Sequence, residues 1–367
     1  MEEQKKKYQH VTVGAVKHSM VEIEGEITSE TFETYRKQAL EEIKKNFEMP
    51  GFRKGNVPEH ILEKNINTKH LLEDAAYSAL QEVYPEIVVD HNIKVLTAPT
   101  IAITKLAEGS PVGFKISVGI VPEFKLPNYK KIADGIMKKE EKITVEEKEV
   151  EAIIKQIQIM RAPLKPKEKE TDPDEAVTPE LTEEFVKTLG DFKSVEDFKN
   201  NIKENLAHEK TLESKRNKRE ELAKKLIEST TIEIPSVLLD EEVTHIKEKI
   251  ESEIKKYNVT KEEYFKKIRK TEETLLKEQR EFVENQYKTK LILKKIAEEE
   301  KIKPTEEEVE HEFNHVIEQY KDADPYRIYG YVQEMLINEK VLTFLEGKEK
   351  EAEEEKKEHM KKHKKED

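Results

Sequence analysis

Alternation of apolar and polar residues with a period of two, the mark of a half-buried strand, is confined to the first third of this chain. Val21, Ile23 and Ile27 alternate with Glu22, Glu24 and Glu26, and Phe114, Ile116, Val118 and Ile120 alternate with Lys115, Ser117 and Gly119. Past Leu126 the apolar residues fall at helical spacing only. The pattern predicts an α+β N-terminal domain, helices on a small antiparallel sheet, followed by an elongated all-α domain.

The helices can be placed from their caps and stripes. Ser29 stands to cap a helix to about Glu48 with Phe32, Tyr35, Ala39, Ile43 and Phe47 on one face. A short helix should follow Pro58, and a longer one should run from Thr68 to about His91 with Leu71, Leu72, Ala75, Ala79, Leu80, Val83 and Ile87 inward. Further on, Thr144 with Glu147 reads as a capping box ahead of the stripe Val150, Ile153, Ile154 and Ile157, ending near Arg161. Ser194 opens a long, thinly apolar helix to about Ser229, and Leu239, Val243, Ile246, Ile250, Ile254 and Tyr257 mark another. Thr260 with Glu263 and Thr305 with Glu308 signal further starts, and helices are expected over about 272–299, 305–320 and 325–345.

Charged residues make up 40% of the chain and aromatics 7%, with no Trp, which leaves little material for one large core and favours long, partly solvated helices. There is no Cys, so disulfides and thiolate chemistry are excluded. No apolar run marks the first ten residues and none approaches the roughly 18 residues of a membrane span, so a cytoplasmic protein with no membrane partner is expected. The net charge of −13 argues against a general nucleic-acid coat, and any RNA contact must be local.

One such local patch exists. In Gly51-Phe52-Arg53-Lys54-Gly55-Asn56-Val57-Pro58, Gly51 ends one helix, Gly55 can take a positive φ, and Pro58 suits the start of the next. Phe52, Arg53 and Lys54 are then held at a tip, close to Lys44 and Lys45, where a ring beside two cations suits contacts to structured RNA and the proteins that coat it. The plainer reading is a helix connector whose Phe tucks under the turn.

The string resembles the docking signature of the trigger factor family of ribosome-associated bacterial chaperones, G-F-R-x-G-K-x-P, with Asn56 in place of the usual cation. Val121-Pro122-Glu123-Phe124-Lys125-Leu126 resembles that family's exit from its first domain, and Ile234-Pro235-Ser236-Val237-Leu238-Leu239-Asp240-Glu241-Glu242-Val243 and Asp324-Pro325 resemble landmarks of its helical part. The resemblance implies ribosome binding by Phe52, Arg53 and Lys54 on a scaffold of Gly51, Gly55 and Pro58. It also implies as partners an exit-tunnel protein, rRNA and nascent polypeptides, and dimerisation away from the ribosome. It implies two regions, 1–122 for docking and 123–346 as the helical chaperone domain with protruding helical hairpins; residues 347–367, almost only Lys and Glu, read as a charged, disordered tail. Family members usually carry a prolyl-isomerase domain where this chain has residues 162–180, a Pro-rich linker too short to enclose that domain's core.

Catalytic constellations are few. His311-Glu312-Phe313-Asn314-His315 satisfies H-E-x-x-H, but both His lie about 160° around the helix from Phe313, on the wet face, where a zinc site lacks shelter and a third ligand. No Gly-rich phosphate loop or nucleophile elbow is present. No catalytic residue, metal or cofactor is therefore expected. Tyr264, Phe265, Tyr326, Tyr329, Tyr331 and Met335 are candidate contacts for unfolded polypeptides, being adaptable apolar groups among charge; filling of hairpin interiors is the alternative. The functional expectation is an ATP-independent chaperone docked at the exit tunnel; the alternatives are a peptidyl-prolyl isomerase or a helical scaffold that never meets a ribosome.

Overall fold

The computed structural model describes residues 6–50, 52–139, 143–161 and 179–347. Gly51, most of the linker expected over 162–180 and all but the first residue of the tail expected over 347–367 lie outside the described residues.

Four strands form one antiparallel sheet in the order β1-β2-β4-β3: β1 (Tyr8–Val13), β2 (Met20–Ile27), β3 (Thr100–Lys105) and β4 (Val112–Gly119). The central pair carries the predicted alternation in register, with Val21 opposite Val118 and Ile23 opposite Ile116. Gly25 opposes Phe114, and a Cβ there would stand 2.8 Å from the Phe114 ring and from the Val11 methyl, so the close approach needs Gly. Between β2 and β3 run α1 (Ser29–Asn46), α2 (Glu59–Asn65) and α3 (Thr68–Asp90). Phe32 from α1 and Ala76, Leu80, Val83 and Ile87 from α3 form one core with Ile23, Phe114 and Ile116 from the sheet. On the outer side, Lys7 donates to Glu82 and Glu86, and the Tyr8 and Tyr35 hydroxyls donate to Asp90 and Glu82.

The helical part holds α4 (Tyr129–Met137), α5 (Glu147–Met160), α6 (Glu183–Lys187), α7 (Val195–Glu228), α8 (Ser236–Tyr257), α9 (Lys261–Ile268), α10 (Glu272–Glu300), α11 (Glu306–Gln319) and α12 (Pro325–Leu345). The chain divides into two compact units, one of Met1–Lys125 with Thr231–Lys288, the other of Leu126–Thr230 with Thr289–Asp367. In the first, the Ser19 hydroxyl of the β1–β2 turn donates to the Glu233 carbonyl at 2.7 Å. In the second, Val150 and Ile154 of α5 meet Val186, Phe198 and Ile202, while Val309 of α11 meets Ile328 and Val332 of α12.

Two caps differ from expectation. Thr28, not Ser29, caps α1, its hydroxyl accepting from the Thr31 N–H at 3.3 Å. The expected box at Thr144 and Glu147 is displaced by two residues: Glu149 reaches back to the Glu146 N–H at 2.9 Å, and Lys210 holds the Thr144 carbonyl outside the helix. The boxes at Thr260 with Glu263 and Thr305 with Glu308 form as read. β1, α4 and α6 are elements that the sequence reading did not place.

Candidate functional site

The turn after α1 is built on a buried stem. α1 ends with Lys44 and Lys45 in its last turn, where the partial negative charge of the helix terminus favours cations. The chain then passes through Phe47 and Met49, which pack against Leu40, Val57, Leu62 and Leu71. Val57 and Leu62 are 1% and 0% exposed, so both ends of the turn are anchored. Within it, the Phe52 N–H donates to the Met49 carbonyl at 3.1 Å and the Asn56 N–H to the Arg53 carbonyl at 2.9 Å. Gly55 is the third residue of that second turn with φ 78°, the sign a type II turn demands there. A Cβ there would meet only the Lys44 and Lys45 backbone, at ordinary contact distances of 3.7–3.9 Å, so its requirement is conformational, about 1–2 kcal/mol for another residue. The Pro58 carbonyl accepts from Ile61 and Leu62 at 3.0 Å and starts α2.

On this stem Phe52 is 38% exposed, and Arg53, Lys54 and Asn56 are exposed. Lys54 lies 3.4 Å from Glu48 and Lys44 3.5 Å from Glu41, wet ion pairs worth at most about 1 kcal/mol and readily exchanged for another anion. Among the described residues no ion pair engages the Arg53 guanidinium. A forked donor, an ammonium and a ring edge thus stand side by side with their backbone fixed. Such a group can contact phosphate or carboxylate and lay a ring on a neighbour, but it has no base, nucleophile or metal ligand.

The other expected residues are distributed over both units. In the first, Tyr264 and Phe265 of α9 are half-buried and meet edge to face at 5.5 Å. In the second, Tyr326 and Tyr331 of α12 are 90% and 62% exposed, Tyr329 packs edge-on against Phe313 at 5.9 Å, and Met335 is half-buried. The structure therefore keeps Tyr326 and Tyr331 out of the α11–α12 interior. His311 and His315 are exposed, and no group of three or more metal-ligating side chains occurs among the described residues. No helix among them is long and apolar enough to cross a membrane. The sequence reading passed over Tyr257, Phe282 and Tyr320, each more than half exposed; they sit at helical spacings that read as core.

A small α+β domain that offers a cation-aromatic turn, on a chain whose helical remainder exposes scattered aromatics, has the make-up of a ribosome-associated chaperone. Comparison with known proteins agrees. Residues 9–157 match the model of the N-terminal part of bacterial trigger factor protein, and residues 194–347 match that of its C-terminus. The chain is 26% identical over 387 residues to trigger factor of Natranaerobius thermophilus, covering 83% of this chain and 86% of that one. It is 25% identical over 425 residues to trigger factor of Clostridium botulinum, covering 92% and 98%. A solved structure of the trigger factor chaperone, reported for promiscuous substrate recognition in folding and assembly, superposes with a TM-score of 0.53 at 18% identity over 92% of this chain and 99% of that one, a likeness of fold. The chain belongs to the trigger factor family. Since 92% of its 367 residues fill only about 338 of the 425 positions aligned with the Clostridium protein, that relative carries roughly 90 positions without a counterpart here. Residues 158–193, between the two family matches, are too few to enclose a domain core.

Proposed function

We propose that this chaperone docks beside the ribosomal exit tunnel through Phe52, Arg53 and Lys54, contacting an exit-tunnel protein and rRNA, in the cytoplasm of a bacterium. The observation that supports this reading most is the exposed Arg53, engaged by no ion pair among the described residues, at the head of a turn whose stem is buried at Val57 and Leu62. Gly55 and Pro58 shape that turn. Residues 1–122 form the docking region, and 123–346 form the chaperone region. There, Tyr264, Phe265, Tyr326, Tyr329, Tyr331 and Met335 hold apolar segments of emerging polypeptide weakly and at several points. Release needs no ATP, because weak contacts lose to the client's own folding. Dimerisation away from the ribosome remains part of the proposal.

Salt dependence tests the docking. The native chain is expected to co-sediment with bacterial ribosomes at low salt and to come off as salt rises, with a slope of about 1.5–2 in log K against log salt for two cations on phosphate. Absence of pelleting, or pelleting indifferent to salt, overturns the reading in favour of a helical scaffold.

The chain acts by binding and not as an enzyme. Added to a short proline peptide, it is expected to leave cis/trans exchange at its spontaneous rate of tens to hundreds of seconds. Clear acceleration would restore the isomerase alternative.

A further inference from the structure

Neither docking nor client holding uses His311 and His315, and α11 fixes how they stand. The box at Thr305 and Glu308 anchors the start of the helix, and Val309, Phe313, Val316 and Ile317 seat it on Ile328, Val332 and Leu336 of α12. The two His lie on the opposite, exposed face, one turn apart and about 40° from each other around the axis. Their Cβ atoms are therefore about 5–6 Å apart on a backbone that packing holds in place. Among the described residues no hydrogen bond or ion pair engages either ring, whereas His10, His18, His70 and His245 each stand within 3.5 Å of a carboxylate. Glu307 and Glu318 continue the exposed stripe one turn to either side.

We propose that His311 and His315 chelate one divalent transition ion of the class of Zn²⁺ through two ring nitrogens, with water in the remaining positions. Shelter and a third protein ligand are demands of zinc catalysis, which this face does not meet. Holding an ion demands less: two neutral imidazoles whose nitrogens can both come within about 2.0–2.1 Å of it. Glu307 and Glu318 favour a cation by their charge and are not counted as ligands, in keeping with the absence of any group of three or more among the described residues. Glu312, which would be the base of a protease, lies about 100° around the helix from His311 and takes no part. An ion bridging successive turns binds the helical form of α11 in preference to the unravelled one, so zinc secures the α11–α12 pair by linkage.

Titration calorimetry of the full-length chain with zinc chloride, beside hydrogen exchange, tests this. A structural site with four ligands binds zinc with Kd of about 10⁻¹² to 10⁻⁷ M, and half of that free energy for half of the ligands gives about 1–200 µM. His359 and His363 repeat the spacing in the tail, so the decisive measurements are made on His359→Gln/His363→Gln. That variant is expected to bind one ion in this range, and adding His311→Gln or His315→Gln should weaken binding at least 10-fold. Both substitutions lie on the wet face, and unchanged α11 exchange without zinc separates their effect from misfolding. At free Zn²⁺ ten times the measured Kd, protection of the α11 amides should rise about 10-fold while the β2 and β4 amides stay unchanged. Mg²⁺, which prefers oxygen ligands, should do nothing at that concentration. Binding weaker than about 1 mM in the tail variant, or binding indifferent to His311→Gln and His315→Gln, overturns the chelate. An equal response to Mg²⁺ also overturns it, assigning the ion to the carboxylates instead.

Discussion

Replacing Phe52, Arg53 and Lys54 together by Ala is expected to weaken ribosome binding about 100-fold or more and to leave the N-terminal domain folded. A charge-assisted hydrogen bond contributes about 1.5–3 kcal/mol, and an aromatic ring laid on a base contributes about 1–3 kcal/mol. The loss of two such cations and the ring, even when discounted for exposure, exceeds the roughly 2.7 kcal/mol that 100-fold represents. Stability is insulated because the stem, not the tip, makes the buried contacts of Leu40, Val57, Leu62 and Leu71. Exposed substitutions away from such contacts usually change stability by no more than about 0.5 kcal/mol. Co-sedimentation beside a circular dichroism melt reads both quantities; equal pelleting of variant and native chain sinks the docking assignment. The same turn supplies a gain-of-function arm. Asn56 is exposed, so Asn56→Lys is expected to restore a third cation, raise affinity several-fold and steepen the salt slope by about one.

The sequence and the structure agree where a local rule decides the outcome. Val21, Ile23, Phe114 and Ile116 face the core because the sheet's period is two, and the Thr260 and Thr305 boxes form because each needs only four neighbouring residues. Disagreement begins where tertiary contacts choose among local options. β1 escaped notice because Gln9, His10 and Thr12 are polar residues of an edge strand whose register shifts between Gln9 and Thr12. α6 spans too few turns to show a stripe, whereas α4 carries a legible one, Tyr129, Ala133 and Ile136, that the sequence reading missed. Thr144 had the sequence of a cap, but the contact from Lys210 sixty-six positions away keeps it outside the helix. In the docking turn, the Gly55 and Pro58 roles were legible from their backbone preferences. That Lys54 meets Glu48 while no ion pair among the described residues engages Arg53 depends on the path of the chain between Phe47 and Val57, which no spacing rule supplies.

The long α7 shows what such tertiary contacts contribute to stability. Its middle reads as a solvated spine, yet within the second unit Arg219 reaches α12, donating through Nη1 and Nη2 to Glu339 at 2.8 and 2.7 Å and through Nε to Glu346. The Glu339 hydrogen bonds, with those of Glu346 behind them, hold the guanidinium protonated beyond its ordinary range despite partial burial. Glu339 is half exposed and could turn to water. The Glu346 side chain is only 5% exposed and sits where α12 ends, beside carbonyls that disfavour a second negative charge. Arg219→Met should therefore leave Glu346 covered and under-compensated, with Lys215 at 3.5 Å its remaining cation among the described residues. Breaking a buried pair usually costs about 3–5 kcal/mol; partial exposure of Arg219 and the help from Lys215 bring the expected loss to about 2–4 kcal/mol. A two-unit chain has no single unfolding free energy, so the appropriate readout is hydrogen exchange. Protection of α12 amides should fall roughly 30- to 900-fold, while the β2 and β4 amides of the first unit are unchanged. Adding Glu346→Leu should recover much of that protection, since replacing both partners removes the stranded charge and extends the apolar contact of Leu345 and Val341. Undiminished protection in Arg219→Met would show that α12 is held by its apolar face alone, and a double variant worse than the single would show that Glu346 stabilises the helix end independently of Arg219.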